Sequence, residues 1–156
     1  MSRPASLLKV ISGGQSGVDR GALDAALALG FSCGGRCPKG RLAEDGPIDP
    51  KYPLVESTSS RYQDRTEQNI IDSDATLIIT GGRLEGGTRL TMELALKHDK
   101  PCVIIDLRQP TSIDQIASQL TALQVKTLNV AGPRESKQPG IAQQAQELIE
   151  GLLQPG

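Results

Sequence analysis

The residues best suited to chemistry in this chain lie in glycine-rich turns that also hold arginine. Residues 12–17 have the sequence Ser-Gly-Gly-Gln-Ser-Gly and join the apolar run 7–11 to a stretch with helical spacing of apolar residues. Glycine lets the backbone bring its N–H groups close to a ligand, and the first turn of a helix leaves N–H groups unpaired at the positive end of its dipole. We therefore expect an anion or phosphate to bind at this turn, with Ser16 capping the helix and with Gln15 and Arg20 reaching outward.

The spacing of these glycines matches neither common nucleotide fingerprint. Their order is G-G-x-x-G, whereas the dinucleotide motif requires G-x-G-x-x-G and the phosphate loop ends in G-K-[ST]. A tight turn without a ligand is therefore the alternative. A second glycine-rich turn at residues 81–88 and a third at 131–136 favour the ligand-binding interpretation.

Apolar runs and helical patterns alternate along the chain and predict the elements that position these turns. The predicted strands are 7–11, 31–34, 74–80, 101–105 and 127–130, and the predicted helices are 18–29, 62–72, one around 90–96, 112–123 and 141–152. This alternation predicts an α/β fold with a parallel sheet, as one Rossmann-like, three-layer domain over residues 1–156. Ligands of such sheets bind at the carboxyl ends of the strands, where all three glycine turns fall.

The segment 35–61 is too long for an ordinary connection within a compact domain. Arg36, Lys39 and Arg41 alternate with glycine and proline, and three prolines between residues 47 and 53 prevent regular structure. This composition favours a shaped binding loop, with disorder as the alternative.

Composition excludes several classes of partner. Aromatic residues are 2% of the chain and there is no Trp, so the core must be aliphatic and a base-stacking platform for nucleic acid is not expected. A net charge of −1 gives no general attraction to nucleic acid or membrane. Residues 1–6 lack a leader pattern, no apolar run has membrane-spanning length, and three cysteines suggest reduced thiols, so we expect a cytoplasmic protein.

Metal and nucleophile chemistry have little support. Cys33 and Cys37 lack a second pair of zinc ligands, and His98 is the only histidine, so we expect neither a metal site nor a nucleophile–histidine triad. Carboxylates lie in or near the loops and could perform acid–base chemistry, accept hydrogen bonds from an amino-bearing heterocycle or pair with the cations: Asp19, Glu44, Asp45, Asp64, Glu67 and Asp72.

Several motifs, in the same order over essentially the whole chain, resemble those of the molybdenum cofactor carrier proteins. They are VISGGQSGVDR (10–20), CPKGR (37–41), AEDGP (43–47), RTEQN (65–69), DSDAT (72–76), GGT (86–88) and NVAGPRES (129–136). Arg36 departs from the pattern, because many relatives have tryptophan there.

The same residues more remotely resemble the lysine-decarboxylase-like superfamily, which includes cytokinin-activating phosphoribohydrolases. Those enzymes have a catalytic glutamate three residues after the threonine of G-G-x-G-T, where this chain has Thr91. The resemblance therefore favours binding over hydrolysis, although Glu93 or Glu67 could substitute.

The resemblance implies a protein that binds, protects and carries the molybdenum cofactor, a phosphorylated pterin dithiolene. It also implies a homo-oligomer, molybdoenzymes or cofactor-synthesis proteins as partners, and the strand order 2-1-3-4-5. The alternatives are a nucleoside-monophosphate phosphoribohydrolase and a nucleotide-sensing protein. No catalytic residue is expected, and the expected binding residues are Gly13, Gly14, Gln15, Ser16, Gly17, Arg20, Lys39, Arg41, Glu67, Gly86, Gly87, Thr88 and Arg134.

Overall fold

A five-stranded sheet, in which every strand runs parallel to its neighbours, forms the centre of the computed structural model, which describes residues 3–155. In chain order the elements are β1 Lys9–Ile11, α1 Val18–Ala28, β2 Cys33–Gly34, β3 Arg36–Cys37, β4 Leu42–Ala43, β5 Gly46–Pro47, β6 Val55–Glu56, α2 Tyr62–Ile71, β7 Ala75–Thr80, α3 Gly86–Lys97, β8 Cys102–Asp106, α4 Ile113–Ala122, β9 Thr127–Ala131 and α5 Ile141–Leu153. The predicted α/β class is confirmed, and the fold is Rossmann-like with three layers.

Helices cover both faces of the sheet, and β7, the strand between β9 and β8, is buried on both faces. All six residues of β7 are buried, as expected for a parallel strand between two helical layers. Ala75, Leu77 and Ile79 face the main core, to which α1, α4 and α5 contribute, whereas α2 and α3 pack against each other in the other layer.

The predicted strand order was wrong. Counting only the five strands of the main sheet, the order is 2-1-5-3-4, because β9 lies between β1 and β7. Leu128, Asn129 and Val130 of β9 are buried between two neighbours, whereas β8 forms an edge at which Ile104 is 43% exposed. Both segments are short apolar runs, and an apolar run does not specify which strands lie beside it. As a result, the three strands that precede glycine turns, β1, β9 and β7, are adjacent.

The segment between β2 and α2 forms a small lobe over the amino-terminal half of α1. Its short strands pair as β3 with β6 and β4 with β5, and a second apolar cluster beneath them includes Leu23, Cys37, Ile48 and Leu54. The Arg41 guanidinium donates hydrogen bonds to the carbonyls of Leu54, Asp49 and Tyr52 at 3.1, 3.0 and 3.3 Å. The segment is therefore shaped by its own core and by internal hydrogen bonds.

The first described residues lie against the end of α5. The Arg3 N–H donates to the Gln154 carbonyl at 3.0 Å, and the Arg3 guanidinium donates to the Leu153 carbonyl at 2.6 and 3.0 Å. Residues 1, 2 and 156 lie outside the described residues. All three belong to the predicted domain 1–156, and residues 1 and 2 also belong to the segment 1–6 in which no leader pattern is expected. Within residues 3–155, none of the helices combines the length and apolar character needed to span a bilayer.

Candidate functional site

A cleft opens at the carboxyl ends of β7 and β9, between the first turns of α2 and α3. Its inner part is lined by Gly13, Asp19, Arg65, Thr66, Asn69, Thr91, Asn129, Val130 and Ala131. Its outer part has a volume of about 470 Å³ and is lined by Arg83, Glu85, Gly86, Pro133, Arg134, Lys137 and Gln138. Tyr62, Gly87, Thr88 and Gly132 line both parts, so the two parts adjoin. The inner part has a volume of only about 10 Å³.

Arg65 is the least satisfied polar side chain of this cleft. It is 4% exposed, and its Nε and Nη2 atoms have no hydrogen-bond partner among residues 3–155. These two atoms form the edge of the guanidinium that binds carboxylate or phosphate with two parallel hydrogen bonds. The Arg65 Cζ lies 4.2 Å from the centroid of the Tyr62 ring, which holds the guanidinium plane in place. The inner part has room for about one oxygen atom, so a single oxygen of a ligand in the outer part could supply a missing acceptor.

The first turn of α3 adds a second group of donors to the cleft. The N-cap Glu85 makes no side-chain hydrogen bond to the helix, and no acidic residue lies in the first turn. The first N–H groups of the helix with a backbone acceptor are those of Thr88 and Arg89, which donate to the Glu85 carbonyl. The N–H groups of Gly86 and Gly87 come before them, at the positive end of the helix dipole. A Cβ at Gly87 would lie 3.1 Å from the Tyr62 ring, so glycine keeps this part of the cleft open.

Asp19 is the acidic residue of the inner cleft. Its carboxylate Oδ2 lies 3.8 Å from Arg65 Nη1 and accepts a hydrogen bond from the Gln15 N–H at 3.4 Å. Burial raises the pKa of Asp19 to about 6, and the nearby Arg65 guanidinium offsets this only in part. Gly13 lets both charged groups lie close to the backbone, because a Cβ there would collide with the Arg65 guanidinium.

The first glycine turn is closed by contacts with the rest of the protein. Ser16 is not the N-cap of α1, because that position belongs to Gly17, which has φ 84° and lies against the Pro133 carbonyl. The Ser16 hydroxyl instead donates to the Glu44 carboxylate and accepts the Glu135 N–H at 3.2 Å. The Val18 N–H donates to the Pro133 carbonyl at 3.2 Å. Neighbouring loops thus use the polar groups that were expected to face a ligand.

Gln15 and Arg20 are also held by contacts within the protein. The Gln15 side-chain oxygen accepts the N–H groups of Ser16 and Glu44 at 3.0 and 2.8 Å. The Arg20 guanidinium donates to the Gly14 carbonyl at 3.0 Å and to the Asp45 carboxylate at 3.0 Å.

Ser16, Gly17 and Arg20 line a separate cavity of about 520 Å³. Its other lining residues include Glu44, Asp45 and Glu135, so its walls are acidic. Hydrogen bonds from the Ser136 and Ser16 hydroxyls lower the pKa of Glu44 to about 2. An anion is therefore better accommodated in the cleft beside Arg65.

The predicted binding residues divide between several places. The cleft brings together Gly13, Gly86, Gly87, Thr88 and Arg134. Three others lie elsewhere: Lys39 is exposed on the lobe, Arg41 is bonded to lobe carbonyls, and Glu67 contacts His98 Nε2 at 2.6 Å and Lys97 Nζ at 3.1 Å.

The predicted set of binding residues did not include Arg65, Asp19 or Tyr62, although Asp19 was among the carboxylates expected in or near the site loops. The helical pattern could have identified Arg65, because it lies on the buried face of α2 together with Thr66, Asn69 and Ile70. A charged residue on such a face is unusual and indicates a functional site.

The glutamate position of the related hydrolases is occupied by Thr91. Its hydroxyl donates to the Gly87 carbonyl at 2.9 Å, and the residue is buried in the inner cleft. Glu93, two residues further along α3, accepts a hydrogen bond from Arg89 at 3.1 Å and its side chain is 54% exposed. As the helical spacing predicts, Glu93 points away from the cleft.

Two further observations limit what the surface can bind. A larger cavity of about 780 Å³ lies between β8 and α4, but its charged lining residues are Asp106 and Asp114, which suit an anion poorly. In the part of the chain that is described, no three His, Cys, Asp or Glu side chains converge as metal ligands.

Comparisons with known proteins agree with this architecture. Residues 10–153 match the model of the circularly permutated YpsA SLOG family. The chain is 45% identical to a solved structure of the putative molybdenum carrier protein of Syntrophus aciditrophicus, with a TM-score of 0.89 and 96% of each chain covered. No significant match was found among the curated proteins.

Proposed function

The chain belongs to the circularly permutated YpsA SLOG family, and from this premise we propose that it binds a phosphate-bearing anion in the cleft between α2 and α3. We propose further that this ligand is the molybdenum cofactor, which the protein protects and carries. The solved structure that it resembles over 96% of its length is named a putative molybdenum carrier.

The observation that supports anion binding is the free edge of Arg65. Burying a charge without full hydrogen bonding costs free energy, and a protein retains such an arrangement where a ligand completes it. Arg65 Nε and Nη2 are both buried and unpartnered among the described residues, and they lie in the same lining as Gly87 and Thr88 at the start of α3. A ligand oxygen bound by Arg65 would therefore also lie close to the positive end of the helix.

The size and charge of the outer cleft suit a phosphorylated heterocycle. A volume of about 470 Å³ falls in the range of small-molecule sites. Arg83, Arg134 and Lys137 supply positive charge, and the Glu85 carboxylate could accept hydrogen bonds from the amino edge of a pterin. When bound, the cofactor would place its phosphate near these cationic side chains of the outer cleft and its ring against the Tyr62 ring.

Carriage implies exchange with other proteins. We propose molybdoenzymes and cofactor-synthesis proteins as the partners, the cytoplasm as the compartment, and a homo-oligomer as the assembly.

The first experiment asks which ligand co-purifies and whether Arg65 holds it. Native mass spectrometry of freshly purified protein should show a bound pterin phosphate. The amount of this ligand bound to Arg65→Gln should be lower by about tenfold or more, because the charge-assisted hydrogen bonds from the Arg65 guanidinium are lost. Arg61→Gln is the matched control, since Arg61 lies one turn away with a side chain 68% exposed.

Equal retention by Arg65→Gln and the native chain would contradict the proposed site. A bound nucleotide without turnover would instead support the nucleotide-sensing alternative.

The hydrolase alternative has its own test. Asp19 is the carboxylate of the inner cleft, and Thr91 cannot stabilise the positive charge that develops on a ribose. We expect no free base on incubation with adenosine or guanosine monophosphate, followed by chromatography. Base release that disappears in Glu93→Gln, Glu67→Gln or Asp19→Asn would make the protein an enzyme.

A further inference from the structure

We propose that Glu44, a residue of the lobe, is a positioning residue for the outer part of the cleft. Glu44 does not line the outer cleft itself. It acts on the wall segment, residues 133–138, which carries the cleft residues Arg134, Lys137 and Gln138. This inference rests on the proposed function, since it concerns the same anion site.

The wall segment is a turn in the connection between β9 and α5. Within it, the Arg134 carbonyl accepts the N–H groups of Lys137 and Gln138 at 3.1 and 3.2 Å. These hydrogen bonds join the three cleft residues into one unit. Whatever holds the turn against the rest of the protein therefore also sets the position of these side chains in the cleft.

The Glu44 carboxylate holds this turn at Ser136. Its Oε1 atom accepts the Ser136 hydroxyl at 2.6 Å, and its Oε2 atom accepts the Ser136 N–H at 3.1 Å and the Ser16 hydroxyl. Hydrogen bonds to a charged acceptor are stronger than neutral ones, and only 20% of the Glu44 side chain is exposed. One carboxylate thus joins the lobe, the first glycine turn and the wall segment.

Arg134 is the cleft cation that depends most directly on this contact. It lies two residues before Ser136, and its Nη1 atom lies 4.0 Å from Glu44 Oε1. The same residue lines the outer cleft. Glu44 therefore acts on Arg134 in two ways, through the backbone of the turn and through the attraction between the two charges.

Other contacts hold the two ends of the wall region. Before Arg134, the Pro133 carbonyl accepts the Val18 N–H at 3.2 Å. The Glu135 side chain accepts the N–H groups of Gly140 and Ala142 at 2.6 and 3.0 Å and so ties the segment to the start of α5. Removal of the Glu44 carboxylate should therefore loosen the middle of the turn and leave both ends attached to the fold.

The test measures the affinity of the full chain for inorganic phosphate by isothermal calorimetry. Glu44→Ala should weaken phosphate binding about tenfold, because Ser136 loses both hydrogen bonds and Arg134 is no longer held beside the cleft. Glu44→Gln keeps a side-chain oxygen for Ser136 and should restore binding to within about threefold of the native chain. Glu56→Ala is the matched control and should bind like the native chain, since Glu56 is a carboxylate of the same lobe that accepts the Gly40 N–H at 2.6 Å within the lobe.

A double-mutant cycle separates positioning from a general loss of structure. If Glu44 acts through the turn that carries Arg134, Glu44→Ala should weaken phosphate binding by less than about threefold in the Arg134→Gln background, because the side chain that it positions is already gone. Hydrogen exchange at residues 134–138 should become faster in Glu44→Ala and stay unchanged in Glu56→Ala, with β7 unchanged in both.

Ser136→Ala is a second variant in case Glu44→Ala does not fold. It removes only the hydroxyl contact at 2.6 Å and should weaken phosphate binding about threefold. Unchanged affinity in Glu44→Ala or in Ser136→Ala, equal weakening by Glu44→Ala and Glu56→Ala, or additive effects in the cycle would overturn this inference and leave the anion site intact. Failure of the native chain to bind phosphate would overturn both the anion site and the inference.

Discussion

Arg65 and Asp19 are charged residues held where water barely reaches them, and their balance depends on pH. A buried carboxyl with a raised pKa binds its proton more tightly in the folded protein than in the unfolded chain. The Asp19 contribution to the unfolding free energy therefore falls as pH rises, whereas that of an ordinary paired carboxylate rises with pH.

The expected pH dependence can be isolated with Asp19→Asn. The pKa of Asp19 rises from 3.8 to about 6 on folding, so between these values the folded state binds more protons. The Asp19 contribution should therefore lower the unfolding free energy as pH rises from about 4 to about 6, by about 3 kcal/mol at most. Urea denaturation of the native chain and of Asp19→Asn at several pH values measures the difference.

Glu44→Gln is the control with the opposite sign. Its pKa is lowered from 4.5 to about 2, so its stabilising contribution is present above about pH 4.5 and is lost as pH falls towards 2. A difference between native chain and Asp19→Asn that stays constant from pH 4 to 6 would contradict the assignment of the buried proton to Asp19.

At the scale of elements, two helices that look alike in sequence have different N-termini in the structure. Both α1 and α3 begin at glycine-rich turns, but α1 is covered by the Pro133 carbonyl and by the Ser16–Glu44 contact, whereas α3 remains open to the cleft. Local sequence predicts that a turn has unpaired N–H groups. It does not predict which distant loop supplies hydrogen-bond acceptors for them, because that depends on tertiary packing.

The helices and strands themselves could largely be predicted from the sequence. The predicted helix 62–72 is found as Tyr62–Ile71, and the predicted strand 74–80 as Ala75–Thr80, since a periodic apolar pattern marks each element. Arg41 shows the limit of such reasoning. Its position among glycine and proline suggested a ligand contact, but its guanidinium binds carbonyls of its own lobe, and sequence spacing cannot distinguish the two roles.

Arg41→Ala should loosen the lobe without unfolding the sheet. The change removes hydrogen bonds to the Leu54, Asp49 and Tyr52 carbonyls and leaves those acceptors to water, at a cost of about 1–3 kcal/mol. Hydrogen exchange should become faster across residues 41–56 and stay unchanged in β7. Arg108→Ala is the control, because Arg108 pairs with Asp106 at the surface; equal protection of the lobe in both variants would contradict the role of Arg41.

At the scale of the whole molecule, the strand order explains why one cleft can collect residues from distant parts of the chain. With β9 between β1 and β7, the turns that follow these three strands are neighbours at one edge of the sheet. The sequence predicted that the glycine turns would converge, because parallel strands share their carboxyl edge. It could not predict that Gly132 would lie directly against β7, since that requires the strand order.

The contact between Arg3 and the end of α5 brings residues 3 and 154 together, so we expect the fold to tolerate a rearranged order of its segments. A short linker from Gln154 to Arg3 could close the backbone into a ring, since an N–H and a carbonyl of these residues are already 3.0 Å apart. Reopening the ring at the exposed Asp99, between α3 and β8, should give a rearranged protein whose unfolding free energy changes by less than about 2 kcal/mol and whose affinity for phosphate is kept. Reopening it at Arg83, in the wall of the cleft, should keep the circular dichroism spectrum and lose phosphate binding, so the order of the residues along the backbone matters less to this protein than their arrangement around Arg65.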